Sequence, residues 1–577
     1  MLAVVRLHLP SDIPIVGIEL TPYVLIRRLD STVTADDIPE SSPVDGHFLR
    51  YKWYRVQSDK NVAVCSIHPS EPAKLQCLAC LKPNIPVAKS YHCTQKCFSD
   101  AWPHHRTIHE RAANAFNGNQ KGGFGHFNNS VSSANLTIGY TPPMYPAGIK
   151  HGDETWFEVG RSKTYTPTAD DIGHVLKFEC SIASAVTKLR VGQPNTLLTN
   201  RVITAPSPTP RQLIHVDGTG HLDLDRRGSF TVMSYKVLSE TSASNDLYNY
   251  CPPWALSWPY RRQNLLREIV GYRADIICLQ EVQNDHYDDF FSPELEKHGY
   301  YGIFKRKTTE VPGGKTIDGC ATFYRRDKFA HVKKYEVEFN KAAHSLAEAV
   351  IPTTQKKIAL NRLVKDNVAL IVVLEMKVNN QIVDNLAKKQ LICVANTHVH
   401  VQQDLKDVKL WQVHTLLKGL EKIAASADIP IMVCGDFNSV PGSAPHELLA
   451  VGKVDPSHHD LTVDPLNILH PHNKLVHQLP LVSAYTAFAR TVGVAFEQHK
   501  RRLDNRTNEP LFTSITRDFV GTLDYIFYSA DSLIVASLLE LLDEESLRKD
   551  TALPSPGWSS DHIALLVEFR CQNKSWH

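Results

Sequence analysis

The pattern of hydrophobic and polar positions changes near residue 229. Beyond it stand six apolar runs of strand length, most of them ending in polar residues: SFTVMSYKVLS, ADIICLQEV, QLICVANTHV, IPIMVCGDFN, TLDYIFYS and HIALLVEF. Between some of them the apolar residues follow the helical period, as in YRRQNLLREIVGY and LKDVKLWQVHTLLKGLEKI. Strands that alternate with helices predict an α/β sandwich over residues 229–577.

The N-terminal part of the chain shows strand-like alternation instead. It is clearest in HFLRYKWYRVQ (47–57) and in TWFEVGRSKTYTPTADDIGHVLKFECSI (155–182). We interpret residues 1–64 and 150–203 as one β-sandwich-like region that is interrupted by an insertion. Two unrelated β segments are the alternative.

Two other segments separate these regions. Residues 113–149 are rich in Asn, Gly and Ser, which is typical of a flexible insert. Residues 204–228 begin with TAPSPTPRQL, whose prolines predict a stiff linker.

Composition and charge restrict the class of protein. The 577 residues exceed what one core can fill, and 42% hydrophobic with 21% charged residues is ordinary for a globular protein. Since 63 Lys and Arg oppose 61 Asp and Glu, the net charge is only +2, so nucleic acid would have to bind at local patches. No apolar run approaches the roughly 20 residues of a membrane helix. We expect a cytoplasmic protein, with the nucleus as a further compartment and no membrane partner.

The cysteines are clustered. Five of the 12 fall within 65–97, and such clustering indicates metal binding more than disulfides. Four pairs of potential ligands follow one another in residues 65–112: Cys65/His68, Cys77/Cys80, Cys93/Cys97 and His105/His109. Both members of each pair can reach one ion at the roughly 2.0–2.3 Å of Zn–N and Zn–S bonds, so two tetrahedral zinc sites are predicted. Free thiols with surface histidines are the alternative, and His104 could exchange roles with His105.

The order and spacing of these pairs resemble the MYND zinc finger. The resemblance implies that the pairs interleave, with these ligands in the first and second sites: Cys65, His68, Cys93 and Cys97, then Cys77, Cys80, His105 and His109. His68 and His109 stand where that family usually has cysteine, and histidine remains a competent ligand. MYND modules generally bind short proline-containing peptides, so a protein partner is implied.

Residues able to carry chemistry stand in or beside the C-terminal strands. In chain order they are Lys236, Glu281, Asn396 with His398, Asp436 with Asn438, Asp524, and Asp561 with His562. If they converge at one sheet edge, their oxygen donors suit Mg²⁺, which can polarise a phosphoryl group and lower the pKa of water. A capped strand or solvated turn explains each residue alone, but six such places in one domain indicate a catalytic site.

The motifs CLQEV, ANTH, CGDFNS, LDYIFY and SSDHIAL, in this order, resemble the endonuclease/exonuclease/phosphatase superfamily. This resemblance covers residues 229 to about 570 and implies two packed mixed sheets flanked by helices. The longer stretch YCPPWALSWPYRRQNLLREIVGYRADIICLQEVQ resembles the carbon catabolite repressor protein 4 family, in its plant form without leucine-rich repeats. That family implies an Mg²⁺-dependent 3′ exoribonuclease that shortens poly(A) tails and releases AMP as the catalytic subunit of a deadenylase complex.

The same resemblance implies a role for each residue at the metal and the water. Glu281 would be the principal ligand of one or two Mg²⁺ ions, with Mn²⁺ as the alternative, and Asp561 would assist it. Asp436 would orient and deprotonate the attacking water. Asn438 would hold that water or a phosphate oxygen.

The histidines would act on the phosphate. His562 would stabilise its developing charge, and Asp524 would fix the tautomer of His562. His398 would contact the same phosphate, with His400 as the weaker candidate, and Asn396 is assigned to substrate binding.

Adenine recognition is assigned to an aromatic ring. Phe519, in TRDFVGTLDYIF, is our candidate for a platform on which adenine stacks, with a core phenylalanine as the alternative. The basic stretch FKRKTTEVPGGK (304–315) is a candidate for contacts to the RNA backbone, although a solvated surface has the same composition.

Lys236 departs from the family pattern, which has asparagine at this position. An ammonium about 4 Å from a divalent ion would cost on the order of 8 kcal/mol at an effective dielectric of about 20. Three hypotheses follow: the ammonium replaces a second cation, activity is reduced, or the domain is a non-catalytic scaffold. A different phosphodiesterase or phosphatase of the same fold, acting on abasic DNA or a small phosphorylated molecule, is a further alternative.

Overall fold

The chain forms two compact units, Met1–Pro206 and Ser207–His577. The computed structural model describes residues 2–9, 11, 13–28, 31–38, 42–58, 65–68, 73, 75–76, 91–102, 105, 149–151, 154–206, 208, 210–216, 228–308, 317–377, 390–426, 429–493 and 496–572. Among the helices in these ranges, none is both long and apolar enough to cross a membrane.

The N-terminal unit is built from strands. Their bounds are β1 Ala3–His8, β2 Tyr23–Arg27, β3 Thr32–Thr34, β4 His47–Ser58, β5 Leu75–Gln76, β6 Tyr91–His92, β7 Ile149–His151, β8 Glu154–Gly160, β9 Val175–Ser184 and β10 Arg190–Arg201. Strands from both sides of the cysteine-rich segment share one antiparallel sheet in the order β10-β9-β4-β8-β7.

One hydrophobic core unites the N-terminal strands. Trp53 of β4 and Phe178 of β9 are fully buried, with ring centroids 4.8 Å apart. Val24 and Ile26 from the smaller sheet β1-β2-β3 pack into the same cluster. The sheet therefore joins chain segments that flank the finger, and the domain boundaries drawn from the sequence stay predictions.

The C-terminal unit contains fifteen strands within its described residues. They are β11 Leu213–His215, β12 Ser229–Lys236, β13 Ile276–Gln283, β14 Tyr300–Arg306, β15 Asp318–Arg325, β16 Phe329–Glu338, β17 Val368–Met376, β18 Leu391–His398, β19 Ile431–Asp436, β20 Leu481–Ser483, β21 Ser514–Ile515, β22 Val520–Gly521, β23 Asp524–Ser529, β24 Leu533–Leu539 and β25 Leu565–Cys571.

Helices flank these strands. Their bounds are Pro253–Leu256, Trp258–Tyr272, Asn284–His286, Ser292–Lys297, Phe339–Val350, Lys356–Leu363, Lys406–Ser426, Ala444–Val451, Ala487–Arg490, Glu497–Lys500 and Glu544–Leu547. Trp258–Tyr272 and Lys406–Ser426 contain the two stretches in which the sequence showed a helical period.

Two sheets face each other across a common core. Their strand orders are β11-β24-β25-β12-β13-β15-β14 and β16-β17-β18-β19-β23-β20. Val232 and Cys278 of the first sheet belong to the same buried cluster as Val394 and Met432 of the second. The predicted α/β sandwich is confirmed, and each of the six apolar runs forms one strand: β12, β13, β18, β19, β23 and β25.

The strand directions bring the polar residues to one edge. β12 runs parallel to β13, and β18 runs parallel to β19, so the carboxyl ends of each pair lie together. β23 is antiparallel to β19, and the register sets Asp524 opposite Asp436. His398 is opposite Asp436 on the other side, so three polar residues share one row across the sheet.

Two backbone irregularities fix this edge. Glu281 has φ +57° within a β-bulge between Leu279 and Val282, and a non-glycine residue in this region indicates local strain. Gly435 precedes Asp436 with φ +148°, and a Cβ there would lie 2.0 Å from the carbonyl oxygen of Thr397. The close approach of β18 and β19 therefore requires glycine.

Candidate active site

Asp436 lies at the centre of the polar edge. Its Oδ1 accepts a hydrogen bond from the backbone N–H of Asn438 at 2.9 Å. Its Oδ2 is buried, has no hydrogen-bond partner among the described residues, and lies 3.5 Å from Nε2 of His398 and 3.9 Å from Nε2 of His562. Burial raises the pKa of Asp436 to about 7, against the opposing effect of the neighbouring imidazole. This oxygen is therefore placed to accept a proton near neutral pH.

Asp524 orients His562. The carboxylate oxygen Oδ2 lies 2.6 Å from Nδ1 of the imidazole and also accepts the Thr513 hydroxyl at 2.6 Å. Burial opposes the imidazolium, but the Asp524 carboxylate outweighs it and raises the pKa of His562 to about 9. The Nε2 atom of His562 therefore faces Asp436. A cationic imidazole in this position is expected to contact an anion that binds between His562 and Asp436.

A second cluster lies beside this row and contains Lys236. Its Nζ donates to both carboxylate oxygens of Asp561, at 2.9 and 3.0 Å, and lies 3.3 Å from Oε1 of Glu281. Burial opposes the ammonium, yet the two carboxylates raise the pKa of Lys236 well above its ordinary value. Although burial raises it, the pKa of Glu281 is lowered to about 2 by the ammonium. Lys236, Glu281 and Asp561 are therefore all charged.

His398 and Asn438 complete the edge. Burial, together with the nearby Lys307 ammonium, lowers the pKa of His398 to about 3, so its imidazole is neutral. Asn438 uses Nδ2 to donate to the carbonyl of Val399 at 2.8 Å, which leaves Oδ1 and one N–H for other contacts. His400, the weaker candidate, is paired with Gln402 instead.

The assignment of Asn396 to substrate binding is wrong. Its side chain is fully buried between the two sheets. Nδ2 donates to the carbonyls of Leu279 and Ala321, and Oδ1 accepts from Nε2 of Gln280 at 2.8 Å. Because these bonds use the amide within the core, Asn396 joins the sheets and cannot reach a substrate.

Phe519 lies on the hairpin next to His562. The turn between β21 and β22 carries the half-buried ring, which covers Gly521. β21 reaches the site through a bridge between Ser514 and His562. Phe512, seven residues earlier, is the buried core phenylalanine of this segment. A partly exposed ring beside the catalytic row fits the stacking hypothesis better than the core alternative.

Sequence reasoning missed the groups that hold the cluster of Lys236, Glu281 and Asp561. The Tyr248 hydroxyl donates to Asp561 Oδ2 at 3.0 Å, and the backbone N–H of Ser239 donates to Glu281 Oε2 at 3.0 Å. Arg261 is fully buried and donates to the carbonyl of Leu238 at 2.7 Å, which fixes the loop after β12. The stretch SNDLYNYCPP carried no periodic or motif signal that would have singled out Tyr248.

The basic stretch after β14 offers fewer free charges than its sequence indicates. Lys305 pairs with Glu336 and Glu338 at 3.1 and 2.6 Å, and Lys307 pairs with Asp318 at 2.7 Å. These lysines are neutralised within the fold, so the expected RNA contact would fall to the exposed Arg306 and to residues 309–315, which lie outside the described residues.

Four residues of the cysteine-rich segment form one potential metal site. The donor atoms of Cys65, His68, Cys93 and Cys97 all lie within 4.8 Å of one another. His68 Nδ1 is 3.3 Å from Cys93 Sγ and 3.4 Å from Cys97 Sγ. This is the first ligand set implied by the MYND resemblance, and its thiolate and imidazole donors suit Zn²⁺.

The second ligand set is described only in part. His105 is buried among the rings of His92, Phe98 and Trp102. The remaining ligands lie outside the described residues: Cys77, Cys80 and His109. The second zinc site stays a prediction.

The donors of the catalytic edge fit a divalent ion in their chemistry. Glu281 and Asp561 provide carboxylate oxygens, a ligand type that Mg²⁺ prefers. Lys236 does not fit, because its ammonium lies between the two carboxylates. A metal ion can use these oxygens only if the lysine side chain moves.

Two family patterns match this chain. The Endonuclease/Exonuclease/phosphatase family matches residues 233–562, and the zf-MYND-like zinc finger, mRNA-binding, matches residues 65–111. These ranges contain the catalytic edge and the cysteine-rich cluster respectively.

Individual relatives match this chain to different extents. Carbon catabolite repressor protein 4 homolog 2 of Arabidopsis thaliana is 68% identical over 596 residues, covering 99% of this chain and 99% of the relative. The CCR4-Not complex 3'-5'-exoribonuclease subunit Ccr4 of Schizosaccharomyces pombe is 32% identical, covering 64% of this chain and 53% of the relative. A crystal structure of ANGEL2, a 2',3'-cyclic phosphatase, is 29% identical, with a TM-score of 0.48 and coverage of 64% and 100%.

Proposed function

The chain belongs to the endonuclease/exonuclease/phosphatase family, among the carbon catabolite repressor protein 4 homologues, and from this membership we propose that it is a poly(A)-specific 3′ exoribonuclease. The substrate is the poly(A) tail of mRNA, and each turnover releases one AMP. The relative in Schizosaccharomyces pombe is named a 3'-5'-exoribonuclease subunit, which supports hydrolysis from the 3′ end.

One observation carries the proposal. Asp436 presents a buried carboxylate oxygen without a hydrogen-bond partner among the described residues, and His562 stands across from it with Asp524 behind. A proton acceptor and a cation on either side of a small space suit the attack of water on a phosphodiester.

The proposed reaction breaks one P–O bond. Asp436 takes a proton from water through Oδ2 while the water oxygen forms a bond to phosphorus. The bond from phosphorus to the 3′ oxygen of the preceding nucleotide then breaks with its electron pair on that oxygen, which takes a proton from solvent, so the products are AMP and an RNA that is one nucleotide shorter and ends in a 3′ hydroxyl. Since its pKa is raised to about 7, the protonated and ionised forms of Asp436 are both accessible at neutral pH.

The other residues stabilise charge on the phosphate. His562 donates from Nε2 to a phosphate oxygen, because Asp524 holds its Nδ1–H. His398 is neutral and contacts the same phosphate with its Nε2 edge. Phe519 stacks on the terminal adenine, which gives base preference without hydrogen bonds.

We propose Mg²⁺ as the cofactor, with Mn²⁺ as a substitute. Glu281 and Asp561 would hold it after Lys236 has moved aside, and a bound divalent ion supplies positive charge to the phosphoryl oxygens. A titration of the protein with Mg²⁺ or Mn²⁺ would show whether one or two ions bind.

The finger would connect the enzyme to its complex. Zinc in the set Cys65, His68, Cys93 and Cys97, and in the second predicted set, holds a surface that binds a proline-containing peptide of another deadenylase subunit. The matched finger family is described as mRNA-binding, which makes RNA the competing ligand. With this role we expect the protein in the cytoplasm, with the nucleus as a further compartment.

The first experiment is a tail-shortening assay. The full chain is incubated with Mg²⁺ and 5′-labelled RNA that ends in adenosines, and the products are resolved by length while AMP is measured by chromatography. We expect a ladder that shortens from the 3′ end and is absent with Glu281→Ala. RNA with a uridine tail should be shortened much more slowly.

A matched control is His400→Gln. This histidine is near the edge but pairs with Gln402, so its substitution should leave the ladder unchanged. Cleavage of abasic DNA in preference to poly(A) would replace the proposal with another phosphodiesterase of the same fold.

The position of Lys236 favours a second candidate, a catalytically weakened scaffold. Its ammonium lies where the carboxylates would hold the metal ion. Tail shortening by Lys236→Asn alone, with none by the native chain, would establish this candidate.

A further inference from the structure

Lys236 is held in place by its strand. It is the last residue of β12 and pairs in register with Gln280 of the parallel strand β13, one residue before Glu281. The carbonyl of Lys236 also accepts a hydrogen bond from the Ser560 hydroxyl, next to Asp561. Its backbone is therefore fixed between the two segments that supply the carboxylates.

The ammonium bridges these carboxylates. Nζ has contacts of 2.9 and 3.0 Å to Asp561 and of 3.3 Å to Glu281, and the residue is only 6% exposed. Lysine offers three N–H donors and no acceptor, so all its hydrogen-bonding capacity can be directed at the acidic groups.

The remaining contacts of the carboxylates are mainly with neutral groups. Tyr248 donates its hydroxyl to Asp561, and Ser239 donates its backbone N–H to Glu281. The His562 Nε2 is farther away, at 3.8 Å from Asp561. Among the described groups, the Lys236 ammonium is thus the nearest positive charge to both acids.

Two buried carboxylates need such a charge. Like charges at short range raise each other's free energy, and burial increases this effect because water no longer screens them. A cation between them removes the repulsion. Either the ammonium or a divalent ion can do this, but both cations would have to contact the same oxygens and would repel each other.

We propose that the Lys236 ammonium is the resident cation of the position between Glu281 and Asp561, and that a divalent ion binds there only by displacing it. The inference rests on the proposed use of this position by a divalent ion. It follows that a higher divalent-ion concentration is needed to fill this position in the native chain than in a chain without the lysine.

Calorimetry tests this without RNA. Mn²⁺ is titrated into the zinc-loaded full chain, into Lys236→Asn and into Lys236→Ala, with Glu281→Gln as the baseline that removes heat from other sites. We expect at least about a 10-fold lower dissociation constant in both lysine variants than in the native chain. Equal constants in all three proteins would overturn the inference.

A matched lysine controls for the loss of charge. Lys305 also pairs with two carboxylates, those of Glu336 and Glu338, in the same unit but outside the catalytic edge. Lys305→Asn should leave the Mn²⁺ constant unchanged. An equal gain in affinity from this variant would mean that net charge, not occupancy of the position, controls binding, and would overturn the inference.

Thermal unfolding provides a second readout. Without divalent ions, Lys236→Asn should lower the melting temperature by several degrees, because it leaves two buried carboxylates uncompensated. Added Mn²⁺ should restore it, while the native chain should respond little. A variant that is insensitive to Mn²⁺ but folded would contradict displacement.

The two proposals fail separately. If the lysine variants bind Mn²⁺ more tightly but no protein shortens poly(A), the inference stands and the proposed function falls. If the native chain shortens poly(A) and its Mn²⁺ affinity equals that of Lys236→Asn, the function stands and the inference falls.

Discussion

At the scale of single residues, the site depends on which group holds which proton. His562 has one nitrogen against Asp524 and the other toward Asp436, so one carboxylate fixes the ring while the other is the proposed proton acceptor. The two acids differ because Asp524 accepts from Thr513 and from the imidazole, whereas Asp436 Oδ2 has no such partner among the described residues.

Substituting the orienting carboxylate should therefore reduce turnover. In Asp524→Asn an amide replaces the acceptor, so the imidazole loses both its positive charge and its preferred tautomer. We expect kcat for tail shortening to fall about 10²- to 10⁴-fold, with little change in KM. Single-turnover assays at saturating RNA would measure this.

The chain offers a matched pair as a control. His446 and Glu509 form another buried histidine–carboxylate contact, at 3.1 Å, outside the catalytic row. Glu509→Gln should lower thermal stability without changing kcat of the folded fraction. If it reduces kcat as much as Asp524→Asn does, the orienting role is refuted.

The proposed adenine preference also depends on one residue. Phe519→Ala should remove roughly 1–3 kcal/mol of binding free energy for adenine while leaving the melting temperature nearly unchanged, because the ring is half-buried. Competition between adenosine-tailed and uridine-tailed RNA would measure the preference. Phe512→Ala is the contrasting control, since this buried ring should cost about 3–5 kcal/mol of stability and leave the preference intact. Unaltered preference in Phe519→Ala would end the stacking hypothesis.

At the scale of elements, parallel pairing of β18 and β19 places the polar row. A Cβ at Gly435 of β19 would lie 2.0 Å from the carbonyl oxygen of Thr397 on β18. Asp436 follows directly, so the position of the reactive carboxylate depends on this contact.

Gly435→Ala should therefore separate the two strands. We expect a loss of at least about 3 kcal/mol of stability, seen as a lower melting temperature, and loss of activity. Gly419→Ala is the matched control: this glycine lies in the helix Lys406–Ser426, and a Cβ there would meet no neighbouring atom within 4 Å, so alanine should stabilise by about 0.5–1 kcal/mol. Equal melting temperatures for the two variants would refute the steric argument.

At the scale of the whole molecule, zinc and catalysis belong to different units. The described zinc cluster lies within Met1–Pro206, and every residue of the catalytic edge lies within Ser207–His577. Loss of the finger should therefore spare hydrolysis of free RNA and remove only what the finger binds.

Metal analysis can test this division. We expect two zinc ions per native chain and one in Cys97→Ser, with unchanged shortening of free poly(A) RNA by the variant. Cys180→Ser, which replaces a buried thiol of the β-sheet core in the same unit, should keep both ions. A Cys97→Ser protein that retains two zinc ions would exclude this cysteine as a ligand.

Local patterns predicted much of the fold. The six apolar runs became six strands because burial on a sheet requires continuous hydrophobic side chains. Strands β14 to β16 were not singled out, since polar residues interrupt their apolar positions. The run VALIVVLEM of β17 has the same continuous apolar pattern as the six runs and was overlooked. The ligand pairs of the finger were readable because metal binding fixes short spacings along the chain.

The sequence by itself determined the residue types at the site, the strands that carry them and the family that shares them. Only the tertiary structure decided which atoms meet. Asn396 was drawn into the core by Gln280 and two carbonyls, and Lys236 was directed at Asp561, 325 positions later in the chain. Such contacts depend on strand register and burial, and these arise only when distant segments pack against one another.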